Sequence, residues 1–106
     1  MAKYMLIGSY TAEGAKGVLK EGGSSRREAA RQAIESAGGT LESFYFGFGT
    51  DDYYVTTDFP SHADAAAAAL TVGASGTSRA RTIVILTPEE IDAASQRKVE
   101  FRPPGA

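Results

Sequence analysis

Cysteine is absent from this chain of 106 residues. That excludes disulfides, thiolate nucleophiles and cysteine-based zinc sites. Histidine occurs once, at His62, and a single imidazole without thiols does not make a transition-metal site. Neither a metal nor a cofactor is expected. Long apolar runs are missing as well. The start, MAKYMLIGSY, has only a short one, Tyr4 to Ile7. A signal peptide needs roughly 7–15 apolar residues and a membrane span about 20. The expectation is a cytoplasmic protein that does not associate with a membrane. Charge of one sign is also scarce: 11 Lys and Arg stand against 13 Asp and Glu, a net of −2. Nucleic-acid binding needs a clustered basic surface, so no nucleic-acid partner is expected. The glycines of TAEGAKGVLKEGG fit neither the G-x-x-x-x-G-K-S/T nor the G-x-G-x-x-G spacing, so they do not form a phosphate loop.

What is present reads as one small domain over residues 1–94, followed by a tail over 95–106. KYMLIGSY, Lys3 to Tyr10, alternates Met5 and Ile7 with Tyr4 and Leu6. Both sides are apolar, which predicts a central strand covered on both faces. Three glycines weaken the next segment as a helix, leaving a short helical turn around Ala15 to Lys20 that Gly22-Gly23 ends. SSRREAARQAIESAGG is the strongest helix signal. Ser25 with Glu28 has capping-box spacing, Ala29, Ala30, Ala33, Ile34 and Ala37 mark one face, and Gly38-Gly39 is the stop. TLESFYFGFG predicts a second strand with Phe44, Phe46 and Phe48 on one face and Leu41, Ser43 and Tyr45 on the other. GTDD turns the chain into a third strand, YYVTTDF, with Tyr53, Val55, Thr57 and Phe59 on one face and Tyr54, Thr56 and Asp58 on the other.

PSHADAAAAALTVGASG predicts a helix capped by Ser61, whose alanines allow close approach to a sheet. TSRARTIVILT is the fourth strand. Thr87, Pro88 and Glu90 then open a short helix with a capping box. The order β-α-β-β-α-β is the ferredoxin-like arrangement, an α+β fold with a four-stranded antiparallel sheet. Its helices share one face of the sheet. The strands carry apolar or aromatic residues on both faces, more than a monomer normally exposes. This predicts a homodimer packed sheet against sheet, with the tail either flexible or packed on the partner subunit through Val99 and Phe101.

Three stretches carry a family resemblance: YMLIGSYTAEGAKGV, REAARQAIESAGGTLESFYFGFGTDDYYVTTDFPSHADAAAAAL and GASGTSRARTIVILTPEE. They resemble the GYD domain family of small bacterial proteins over about the first 95 residues. The family takes its name from a Gly-Tyr-Asp element at the hairpin between the second and third strands. Here that region reads Gly49-Thr50-Asp51-Asp52, so Asp52 matches the family Asp, while Asp51 stands where Tyr is usual. The resemblance implies a ferredoxin-like, dimeric α/β-barrel type structure. The family carries no established activity, so the resemblance transfers no catalytic residue.

Candidate sites come from residue chemistry. Asp51 and Asp52 are either a carboxylate pair of split pKa or the tip of a turn, where Asp side chains bond nearby amides. Arg79 and Arg81 share one face of the fourth strand and suit a carboxylate or phosphate, or else pair with acids such as Asp58. His62 is the one side chain that ordinarily titrates near neutrality. Tyr10 and Tyr45 each offer a ring and a hydroxyl, and Tyr10 ends the first strand, where a cleft can open. The ligand-binding candidates are thus Tyr10, Tyr45, Asp52, His62, Arg79 and Arg81. Three functions are open: a homodimeric module for small ligands or assembly, a cofactor-independent enzyme, monooxygenase- or isomerase-like, acting on a small aromatic or apolar substrate, or a regulatory interaction protein using its acidic exterior and tail. An enzyme needs an enclosed cavity with a perturbed acid or base.

Overall fold

The computed structural model describes residues 2–106. Four strands form one antiparallel sheet: β1 (Ala2–Tyr10), β2 (Thr40–Phe46), β3 (Tyr53–Phe59) and β4 (Ser78–Ile85). Their spatial order is β2-β3-β1-β4. β1 and β2 both run antiparallel to β3, and β3 and β4 both run antiparallel to β1. Each helical crossover therefore joins two parallel strands with a third lying between them, and the β2–β3 link is a hairpin. The helices are α1 (Ala12–Glu21), α2 (Gly23–Ser36), α3 (His62–Ala74) and α4 (Pro88–Ser95). The fold class is α+β.

The core lies on one side of the sheet. Tyr4 and Leu6 of β1 meet Tyr53, Val55 and Phe59 of β3, with Ile34 of α2 and Ala65 and Ala68 of α3 above them. Phe59 is entirely buried and takes the Tyr4 ring edge-on, with centroids 5.9 Å apart. β3 follows the expected alternation: Tyr53, Val55, Thr57 and Phe59 are buried, and the residues between them are not.

Several sequence expectations are corrected. α1 is a full helix of 10 residues rather than a short turn; Thr11 caps it by accepting from the Gly14 amide. Gly14, unfavourable in an isolated helix, is needed here. A Cβ at that position would lie 1.9 Å from the Thr77 carbonyl oxygen. The Ser25–Glu28 capping box does not form. Gly22, at φ +84°, turns the chain directly from α1 into α2, so helical geometry begins at Gly23, before Ser25 is reached.

β2 contains a register shift between Leu41 and Ser43. The bulge places Leu41 opposite Thr57, on the same side as Phe44 opposite Val55. Leu41 is thus in the core and not on the Ser43–Tyr45 face. Phe48 lies beyond the strand and is exposed. The uncovered face of the sheet is less apolar than expected: Met5, Ile7, Tyr45, Tyr54, Ile83 and Ile85 form its stripe. Lys3, Glu42 and Asp58 make an ion cluster at one end, and Arg81 pairs with Asp51 at the other.

The caps on α3 and α4 form as expected. Ser61 accepts from the Asp64 amide, and Thr87 and Glu90 complete a capping box. From Pro88 to Ala106 every residue is exposed. The radius of gyration is 16.9 Å, against about 13 Å for a compact chain of roughly 100 residues. The C-terminal arm extends away from the body.

Candidate functional site

The site grows out of the end of β1. There the backbone amide of Tyr10 donates to Asp52 Oδ2 at 2.8 Å. The Asp52 amide donates to the Gly8 carbonyl at 2.7 Å, and the Gly47 amide to the Asp52 carbonyl at 2.8 Å. Asp52 therefore laces the β2–β3 hairpin to β1 through backbone and side chain together. Ser9 adds a bond to the Thr50 carbonyl. The neighbouring Asp51 points elsewhere, 3.5 Å from Arg81. The two carboxylates have separate partners and do not form a dyad.

This lacing fixes Tyr10 over the sheet. Its ring lies 5.2 Å from that of Tyr53, centroid to centroid. Tyr53 in turn needs Gly8 beneath it, because a Cβ there would come within 2.2 Å of the Tyr53 hydroxyl. The Tyr53 hydroxyl meets Ser78 Oγ at 3.1 Å in buried surroundings.

Between this floor and the helices lies a cavity of about 370 Å³. Leu6, Phe44, Tyr53 and Val55 line it from the sheet, and Ala29, Ala30, Ala33 and Ala68 face it from α2 and α3. Its origin is stereochemical. A methyl group reaches only a short way from a helix, so a helix face of alanines leaves the space above aromatic strands unfilled. Arg26, Thr71, Ser75, Thr77 and Ser78 supply polar groups at its margin. Two further recesses adjoin it. One, of about 290 Å³, runs past Val18, Phe46 and Asp52. The other, of about 200 Å³, runs past Glu13, Glu21 and Arg26. Tyr10 lines all three. Burial raises the Tyr10 phenol above its ordinary value of 10, with Tyr53 and Asp52 adding to the effect and Arg26 opposing it. The phenol is therefore a hydrogen-bond donor at neutral pH, not a base.

The six candidates do not converge. Tyr10 and Asp52 share the recess beside α1. His62 is at the opposite end of β1, where Nδ1 lies 2.5 Å from the Tyr4 hydroxyl and the rings meet edge-on. Arg79 and Arg81 are exposed on β4, and Arg81 pairs with Asp51. Tyr45 is exposed opposite Tyr54. Arg26 was not singled out from the sequence. Its signal was positional: it lies three, four and seven residues before Ala29, Ala30 and Ala33, on one helical face. No acidic residue occupies the first turn of α2 to offset the helix dipole there. Among the described residues no cluster of three or more His, Cys, Asp or Glu could hold a metal ion. No helix among them is long and apolar enough to cross a membrane.

The sequence model of the GYD domain family matches residues 4–95. No curated protein and no solved structure matches the chain.

Proposed function

The chain belongs to the GYD domain family, and on that premise we propose that it is a homodimeric protein that binds a small, largely apolar ligand between its sheet and helices. The cavity of about 370 Å³ carries this reading. Small-molecule sites typically occupy about 300–1,000 Å³ and combine apolar walls with a few polar groups. A dry cavity of ~150 Å³ already takes benzene, so one or two fused rings fit the volume here. Binding is favoured over acid–base catalysis by the arrangement of the titratable groups. His62 is engaged by Tyr4 away from the cavity, Asp52 accepts from the Tyr10 amide, and Tyr10 holds its proton.

The strand order and the two helical crossovers support the ferredoxin-like reading and its dimeric α/β-barrel relatives. Support for the dimer comes from apolar groups the subunit leaves open. Tyr45 and Ile83 are exposed on the uncovered face, and Leu86, Ile91, Val99 and Phe101 are exposed along the arm. β4 is also an edge strand, with unpaired backbone groups on its outer side. Residues 95–106 are then a tail that packs on the partner.

The ligand reading is tested by titrating the protein with 1-naphthamide, a neutral two-ring probe, followed by NMR. Saturable shifts at Phe44 and Val55, weakened severalfold or more in Ala33→Leu, are expected. No binding, or binding indifferent to Ala33→Leu, removes the reading. Sedimentation velocity at micromolar concentration is expected to give a dimer; a monomer removes that part.

A further inference from the structure

Resting on the ligand-binding reading above, we infer that the cavity selects an anion: an apolar or aromatic carboxylate whose head group is held by Arg26 beside the Tyr10 hydroxyl. The cavity is apolar over most of its wall, and its charged side chain is Arg26; no Asp or Glu of the described residues lines it. The hydroxyls around it are largely engaged. Thr71 donates to the Ala67 carbonyl, Ser75 to the Val72 carbonyl, and Ser78 is paired with Tyr53. That leaves a guanidinium, with five N–H donors and no acceptor, and a phenol that keeps its proton. Both offer donors, and a carboxylate is an acceptor-only group of matching planar geometry.

Among the described residues Arg26 has one ion-pair partner, Glu21, at 3.4 Å through Nη1, exposed on both sides, and it lies close enough to the Tyr10 hydroxyl to act on its ionisation. Exposed pairs are weak, so Glu21 restrains the guanidinium without consuming its remaining donors. Glu13 and Glu21 line the outer recess, not the cavity. The placement of Arg26 in the first turns of α2, where cation and helix dipole repel, also runs against helix stability. An incoming carboxylate relieves that repulsion.

The experiment compares 1-naphthoate with 1-naphthamide, which share shape and differ in charge, by calorimetry and NMR. Naphthoate is expected to bind tighter by about tenfold, the scale of one charge-assisted hydrogen-bonded pair. This preference runs against the net charge of −2 on the whole chain, so bulk electrostatics does not produce it. Arg26→Gln is expected to abolish the preference by lowering naphthoate affinity about tenfold, with a much smaller change for naphthamide, in a protein that stays folded. Glu21→Gln is expected to raise naphthoate affinity alone. Equal affinities for the two probes, or a preference that survives Arg26→Gln, overturns the assignment while the cavity reading stands. Failure of both probes to bind removes the cavity reading, and the anion inference falls with it.

Discussion

Within β3, two neighbouring residues show how differently the two sides of the sheet are built. Phe59 faces the helices and has no exposed surface. Asp58 faces the other way, partly exposed and paired with Lys3. The helix side is held by apolar contact, the open side by a polar frame around an apolar stripe. Yet the packed side also holds the cavity of about 370 Å³. Aromatic residues on the strands and alanines on the helices leave space between two well-ordered layers, whereas the open side leaves its apolar groups for another surface.

That contrast is testable by substitution, and the largest effect belongs to the packed side. Phe59→Ala is expected to cost about 3–5 kcal/mol in chemical denaturation. Asp58→Asn, one residue away, should lower the midpoint far less. If the two effects are comparable, the helix side is not the core. Gly14→Ala forces a methyl group against the Thr77 carbonyl and is expected to cost about 1–3 kcal/mol, with loss of amide protection in α1. His62→Ala strands the Tyr4 hydroxyl and is expected to cost about 1–2 kcal/mol, leaving the dimer intact by sedimentation. Ile83→Asp, on the open face, should change subunit stability by less than about 0.5 kcal/mol while dissociating the dimer.

The smallest effect is a pH dependence, and its sign follows from the raised Tyr10 and Lys3 values. In each case the folded state holds its proton more tightly than the unfolded chain. Each contribution is complete below the ordinary values, 10.0 for Tyr10 and 10.5 for Lys3, and is lost as pH rises through the higher folded value. Lys3 owes its shift first to hydrogen bonding with Glu42, then with Asp58. The midpoint should therefore decline above pH 10. Tyr10→Phe should shallow that decline and remove one late ionisation from the absorbance titration at ~295 nm. Loss of an ionisation from the ordinary tyrosine range instead would place the Tyr10 hydroxyl in water.

Much of the fold was legible because local signals agreed with the tertiary outcome. The alternation in YYVTTDF, the Ser61 and Thr87 caps and the glycine stop after α2 each require only neighbouring residues. What escaped depended on distant partners. Gly14 argues against a helix until the Thr77 carbonyl is brought against it. Ser25 has capping spacing, but Gly22 starts the helix earlier. Leu41 changes sides because of a bulge whose cause lies in pairing with β3. At the site, Tyr10 was readable as the end of a strand. Its connection to Asp52 was not, since the two are 42 residues apart. The cavity is a distance between layers, and no single residue encodes it.

The surplus residue in β2 works as a switch of parity. Glu42 and Ser43 follow each other yet both turn to the open side, one bonding Lys3 and the other Thr56. Excising Glu42 would leave Leu41, Ser43 and Phe44 in strict alternation, with Leu41 and Phe44 still turned to the core. Its loss would take away the carboxylate that bonds Lys3 and the local bend of the strand. The conflict lies in the opposite direction: with Glu42 kept and the bulge ironed out, Leu41 and Phe44 would fall on opposite faces, and one of them would be turned into water.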